Sequence, residues 1–173
     1  MSITSKISNF PEYAKDIKLN YSKILNEPTL NKKQLYGIIL ISSITTKLDD
    51  LVEVATEEAK EHIDESLLED IYGAYSIMSM NAIYYRFTHL ATEYDYSTMP
   101  ANLRMQFLAK HKMEKTDFEM LCLAVAVIIG CGKCINAHEV VLRDNSIPNQ
   151  TIQTVARIAS IVNAISNVMR VLK

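Results

Sequence analysis

Two cysteines, a histidine and a glutamate carry the chemistry this sequence can do. Cys131-Gly132-Lys133-Cys134 is followed four residues later by His138, and Glu119 precedes an uninterrupted ten-residue apolar run, Met120 to Ile129. Gly130 and Gly132, two of only four glycines in the chain, bracket Cys131. Glycine after an apolar periodic segment reads as a helix end, and Ile135 to Arg143 reads as a new helix. The two cysteines then fall in the first turn of that helix, where unpaired backbone N–H groups and the positive end of the dipole favour thiolate over thiol. At about 100° per residue, positions 131, 134 and 138 lie within about 60° of one another around the axis. Two thiols and an imidazole on one face are an arrangement for redox chemistry.

Each of these residues also has a plainer reading. Cys131 and Cys134 can be small buried hydrophobes, although their spacing, the flanking glycines and the expected helix start argue for redox function. Zinc is the sharper rival: Cys131, Cys134, His138 and a nearby carboxylate make four ligands, but there is no second C-x-x-C or H-x-x-H to supply the usual distant ligand pair. His138, one turn beyond Cys134, is placed either to exchange a proton with a thiol or simply to sit half-buried on a helix face. Thr116-x-x-Glu119 before an apolar run is a capping-box pattern, so spacing alone makes Glu119 a cap. Lys133 either supports a thiolate or reaches solvent, Glu139 is expected to be solvated, and Cys122 lies inside the apolar run as core. Tyr84, Tyr85, Tyr94 and Tyr96 cluster in mid-chain and are candidates to line a cleft or an interface.

The elements that must position these residues read as helices almost throughout. β-branched alternation is scarce, and Ala, Leu, Glu, Lys and Met are plentiful. Pro11 is expected to open a helix to about Asn26, with Tyr13, Ile17, Tyr21 and Ile24 as its apolar stripe. Further helices are expected over about Lys32–Thr45, Leu48–His62 and Glu65–Leu90, the last capped by Asp64. Ala91–Pro100 reads as a connector. Helices then follow over Ala101–Lys110, with Leu103, Phe107 and Leu108 inward, and over Asp117–Ile129, Cys131–Asn145 and Pro148–Leu172. The halves read as related: about 31–90 repeats the order of about 101–173 within one domain, 1–173. Asn81-Ala82-Ile83 echoes Asn163-Ala164-Ile165, and Val52-Glu53-Val54 echoes His138-Glu139-Val140. In that last register Thr45, Leu48 and Val52 stand where the second half has Cys131, Cys134 and His138, which makes the first half scaffold.

Composition narrows the function. A chain of 173 residues, 49% apolar and 22% charged, is ordinary for one globular domain. A net charge of −2 offers no basic footprint for nucleic acid. No segment approaches the ~20 apolar residues of a membrane span. Lys6, Glu12, Asp16 and Lys18 leave no room for a secretory leader in the first twenty residues, so a cytoplasmic location is expected. Three cysteines do not make a structural disulfide framework.

Glu119, eleven residues, Cys131-x-x-Cys134, three residues, His138: this pattern resembles the alkylhydroperoxidase D family of the carboxymuconolactone decarboxylase-like superfamily. The motif covers about twenty residues, and the helical order extends the likeness over most of the chain. The resemblance implies an all-α fold with an internal two-fold repeat, homo-oligomers that are often trimers or hexamers, no bound cofactor or metal, and thiol-dependent reduction of hydroperoxides. It implies that Cys134 attacks the peroxide, that Cys131 resolves the sulfenic acid to a disulfide, and that Glu119 and His138 relay protons. It further implies electrons from a lipoyl dithiol, dihydrolipoamide on a lipoylated acyltransferase, and in some members transfer to a peroxiredoxin. Lys133 departs from the family, whose well-studied members have histidine there. A lysine keeps a positive charge but shuttles protons less readily at neutral pH. The alternatives in other classes are a disulfide-exchange relay or sensor without peroxidase activity and a non-catalytic zinc module. The superfamily's decarboxylase chemistry calls for no C-x-x-C pair.

Overall fold

The computed structural model describes residues 2–172, so Met1 and Lys173, the two ends of the expected 1–173 domain, lie outside the described residues. Among the described residues the fold is all-α. The helices are α1 Ile3–Ile7, α2 Lys15–Ile24, α3 Lys32–Thr46, α4 Asp49–Lys60, α5 Glu65–Leu90, α6 Lys115–Ile129, α7 Gly132–Asp144 and α8 Asn149–Val171.

Two helices form the centre. In α3 the run Gly37–Ser43 is buried without interruption, and in α6 the run Met120–Ala126 is too. A helix apolar on every side must be enclosed by others. The α3 and α6 helices pack on each other, and each forms a hairpin with the helix that follows it, α4 or α7. The long helices cross over: α5 packs along α6, and α8 along both α3 and α6. At 15, 12 and 26 residues, α3–α5 match α6–α8 at 15, 13 and 23. Both central helices end in a left-handed residue, Lys47 (φ 57°) and Gly130 (φ 78°). Counting from those two residues sets Leu48, Leu51 and Ala55, all buried, opposite Cys131, Cys134 and His138. The register taken from Val52-Glu53-Val54 differs from this one by three residues.

Helix boundaries agree with the sequence reading to within two residues for most elements, and Glu65–Leu90 agrees at both ends. Three expectations fail. Tyr13 is 73% exposed: a 3₁₀ turn, Glu12–Ala14, precedes α2 and takes Tyr13 off the stripe that buries Tyr21 and Ile24. The helix expected over Ala101–Lys110 is absent; only 3₁₀ turns form, at Tyr96–Thr98 and Gln106–Ala109. Asn102 takes a left-handed φ of 53° just after Pro100, which stops helix propagation, and Leu108 stays exposed. A short helix, α1, forms where none was expected. Five residues are too few to be helical alone; Ser2 caps them, Ile3 and Ile7 bury fully, and the Ile3 N–H donates to Glu58 of α4 at 3.2 Å.

The connector between α5 and α6 is irregular yet anchored. Buried Asp70 of α5 accepts from the backbone N–H groups of Lys112 and Met113, both at 2.7 Å. Phe107 seats on α5 at Gly73, where any Cβ would overlap its ring. Gly73→Ala should therefore unseat Phe107, with the cuts of limited proteolysis moving into residues 95–112.

Candidate active site at the start of helix α7

The site begins with how α6 ends. Gly130 turns left-handed, and the Gly130 and Cys131 N–H groups both donate to the Ala126 carbonyl, at 2.9 and 3.1 Å. The Arg86 guanidinium on α5 donates to the Ile129 carbonyl at 2.7 Å, satisfying another acceptor at that end. No atom lies within 4 Å of a Cβ built at Gly130, so glycine is needed there for its φ and not for space.

The turn delivers Cys131 to the N-cap of α7 and Cys134 to its third helical position. The Cys134 N–H donates to Cys131 Sγ at 3.3 Å, so a sulfur occupies the place of the usual capping oxygen. The two sulfurs stand at bonding distance, with Cα atoms 5.3 Å apart, inside the range a disulfide spans. Their exposures differ. Cys131 is 0% exposed, whereas Cys134 keeps 5% and lines a cavity of about 210 Å³. Met78, Asn81 and Tyr85 of α5 form one wall of that cavity, and Ala137 and His138 of α7 the other.

Glu119 and His138 meet from adjacent helices. The His138 Nδ1–H donates to Glu119 Oε2 at 2.7 Å, with both side chains more than four-fifths buried. This bond leaves His138 Nε2 as the ring's proton-accepting nitrogen. The capping box expected at Thr116 does not form: α6 begins two residues earlier, Glu114 is its N-cap, and Thr116 and Glu119 both lie within the helix. With its start moved, the Glu119 side chain is free to point at α7. Lys133 stretches over the Tyr85 ring, 5.6 Å from its centre, and stands in the walls of both the Cys134 cavity and a larger polar cleft of about 620 Å³ that includes His89 and Asp95. The Ser97 hydroxyl and N–H hold the Asp95 carboxyl below its usual range, and the Lys133 charge adds to this.

The structure thus brings Cys131, Cys134, Glu119 and His138 into one corner formed by α6 and α7. Glu139, 42% exposed, turns to Arg143 at 3.9 Å. Among the described residues no group of three or more His, Cys, Asp or Glu is arranged to hold a metal ion, and no helix is long and apolar enough to cross a membrane. The mid-chain tyrosines divide: Tyr85 lines the Cys134 cavity, while Tyr94 packs on Tyr96 beside the polar cleft. Sequence reasoning missed Met78, Asn81 and Arg86 of α5. The available signal was the spacing of Met78, Asn81 and Tyr85, one face of a helix with a polar residue in it.

Comparison with known proteins adds a second line of observation. Residues 95–173 match the model of the carboxymuconolactone decarboxylase family. Over 166 residues the chain is 43% identical to the alkyl hydroperoxide reductase AhpD of Brucella anthropi, covering 96% of this chain and 95% of that one. It is 43% identical over 170 residues to the protein of that name from Acidobacterium capsulatum, covering 98% and 93%, and 39% identical over 171 residues to that of Solibacter usitatus, covering 99% and 97%.

The two kinds of cysteine environment should be separable chemically. Burial, and then the Glu119 charge, push the Cys122 thiol well above its ordinary range, so it stays protonated at neutral pH and is a poor nucleophile. In reduced native protein, iodoacetamide should modify Cys134 more than about tenfold faster than Cys122, with Cys122 reacting only after denaturation; peptide mass spectrometry reads the order directly.

Proposed function

The chain belongs to the alkylhydroperoxidase D family, and from that premise we propose that it is a thiol peroxidase cycling through a Cys131–Cys134 disulfide. One observation carries the reading: a cysteine pair at bonding distance whose more accessible member shares a small, largely apolar cavity with a histidine bonded to a buried-edge glutamate. A largely apolar cavity of about 210 Å³ beside Cys134 offers room for a small organic hydroperoxide, which favours the peroxidase reading over a disulfide relay.

His138 Nε2 takes the Cys134 thiol proton, and the thiolate attacks the outer oxygen of R–O–O–H; the O–O bond breaks, and the departing alkoxide takes that proton back from His138. Glu119 holds the imidazole by Nδ1 and leaves Nε2 for this exchange. Cys134 is now a sulfenic acid. The Cys131 sulfur attacks it, water leaves, and a disulfide forms before further oxidation can occur. A dithiol returns both cysteines to the reduced state by two thiol–disulfide exchanges and becomes a disulfide itself. We assign that role to a lipoyl group, dihydrolipoamide on a lipoylated acyltransferase, with a peroxiredoxin as a further electron acceptor and the cytoplasm as location. Lys133, over Tyr85, keeps a positive charge near the thiols without replacing the proton relay. The second half, about 101–173, carries this chemistry. The first half, about 31–90, is scaffold, with buried Leu48, Leu51 and Ala55 at the corresponding positions.

A homo-oligomer, trimer or hexamer, is part of the same proposal. On α5 the residues Ile83, Phe87 and Leu90 are at least half exposed, with Tyr94 beside them, an apolar patch that a second subunit would cover.

The enzyme reading is tested by hydroperoxide consumption with dihydrolipoamide as sole reductant. Cys134→Ser should abolish turnover, and Glu119→Gln or His138→Ala should lower kcat/KM by roughly a hundredfold. Wild-type protein with free thiols and no turnover would defeat it and leave the relay. For the assembly, Phe87→Glu should convert the oligomer to monomer in light scattering; a wild type that is already monomeric would remove that part.

A further inference from the structure

We propose that Asn81 is a further substrate-contacting residue, whose side-chain amide holds the terminal O–H of a hydroperoxide beside Cys134. This inference rests on the peroxidase reading and names the group that would orient its substrate.

Asn81 lies in the middle of α5 and is only 6% exposed. Its Nδ2 donates to Met105 Sδ at 3.0 Å, a weak acceptor. Its Oδ1 is buried and has no hydrogen-bond partner among the described residues. A buried amide oxygen left unpaired is costly and calls for an explanation. The residue's surroundings supply one. Asn81 lines the cavity that holds Cys134, and its backbone carbonyl is 4.0 Å from Cys134 Sγ. The rest of the α5 wall, Met78 and Tyr85, offers mostly apolar surface to an organic group.

A hydroperoxide brings a single O–H donor, and it sits on the oxygen that the thiolate attacks. An acceptor at Asn81 would fix that oxygen against Cys134 while the R group lies along Met78, Tyr85 and Ala137. The proton stays on the transferred oxygen as the O–O bond breaks and the S–O bond forms, so the product sulfenic acid keeps the same hydrogen bond. His138 supplies the other proton, to the departing alkoxide. Asn81 and His138 thereby address the two oxygens of the substrate separately. This division favours alkyl hydroperoxides of modest size and gives no purchase to dialkyl peroxides, which lack the O–H.

The test compares two electrophiles on pre-reduced protein. Asn81→Leu, close in shape but without the acceptor, should oxidise with cumene hydroperoxide about tenfold more slowly than wild type. Its Cys134 should react with methyl methanethiosulfonate, which carries no O–H, within about twofold of the wild-type rate. An unchanged hydroperoxide rate would overturn the proposal, and so would equal losses with both reagents, because those would mean that Asn81 only shapes the thiol's surroundings. Should Asn81→Leu fail to fold by circular dichroism, Asn81→Ala decides by the same pair of rates. A wild type that consumes no hydroperoxide would sink the peroxidase reading beneath it; an active wild type matched by its variants would sink the Asn81 role alone.

Discussion

A single left-handed residue, Gly130, sets the geometry on which the site depends. Two helices must meet with almost no loop between them, and the chain can reverse there only at positive φ. Once it does, the Gly130 and Cys131 N–H groups converge on Ala126, Arg86 takes the Ile129 carbonyl, and the cysteine that follows has no choice but the N-cap. From that point helical periodicity places Cys134 and His138 one and two turns on, and the packing of α7 on α6 brings His138 to Glu119. The first half makes the same reversal at Lys47, where a non-glycine residue in the left-handed region costs about 1 kcal/mol, and it packs leucine and alanine into the positions where the second half has Cys131, Cys134 and His138.

Burial then separates groups of identical chemistry. Cys122, Cys131 and Cys134 lie within thirteen positions of one another. Cys122, inside α6 and one turn from Glu119, is kept a neutral thiol by desolvation and by a neighbouring negative charge. Cys131 is as deeply buried, yet a backbone N–H points at its sulfur from the start of a helix. Cys134 alone reaches a cavity. What distinguishes them is supplied by the backbone and the dielectric around each sulfur, and not by the side chain.

Much of this was legible in the residues. Long periodic stretches with clear punctuation, such as Glu65–Leu90 after Asp64 or Met120–Ile129 before Gly130, have one good solution, and the spacing of Cys131, Cys134 and His138 follows from helix geometry alone. The failures share a physical cause: local rules lost to tertiary contacts. Thr116-x-x-Glu119 satisfies a capping box locally, but α6 starts at Lys115 and the glutamate finds a better partner on α7. Ala101–Lys110 has fair helix propensity, but Asn102 turns left-handed and Phe107 seats on Gly73. α1 has almost no propensity to form alone, but Ile3 and Ile7 find the core. The cavity's α5 wall shows in the sequence only as the Met78, Asn81, Tyr85 spacing, and nothing local says that this face lies against α7.

The sulfur cap of α7 has a mechanical consequence. Cys131 holds the helix start while lying within bonding reach of Cys134, with the intervening backbone already in its helical path. The cap bond from the Cys134 N–H to Cys131 Sγ and the sulfur pair thus share one turn. The residue that begins the helix is also one half of the pair at bonding distance, so helix start and sulfur pair are built on the same few backbone atoms.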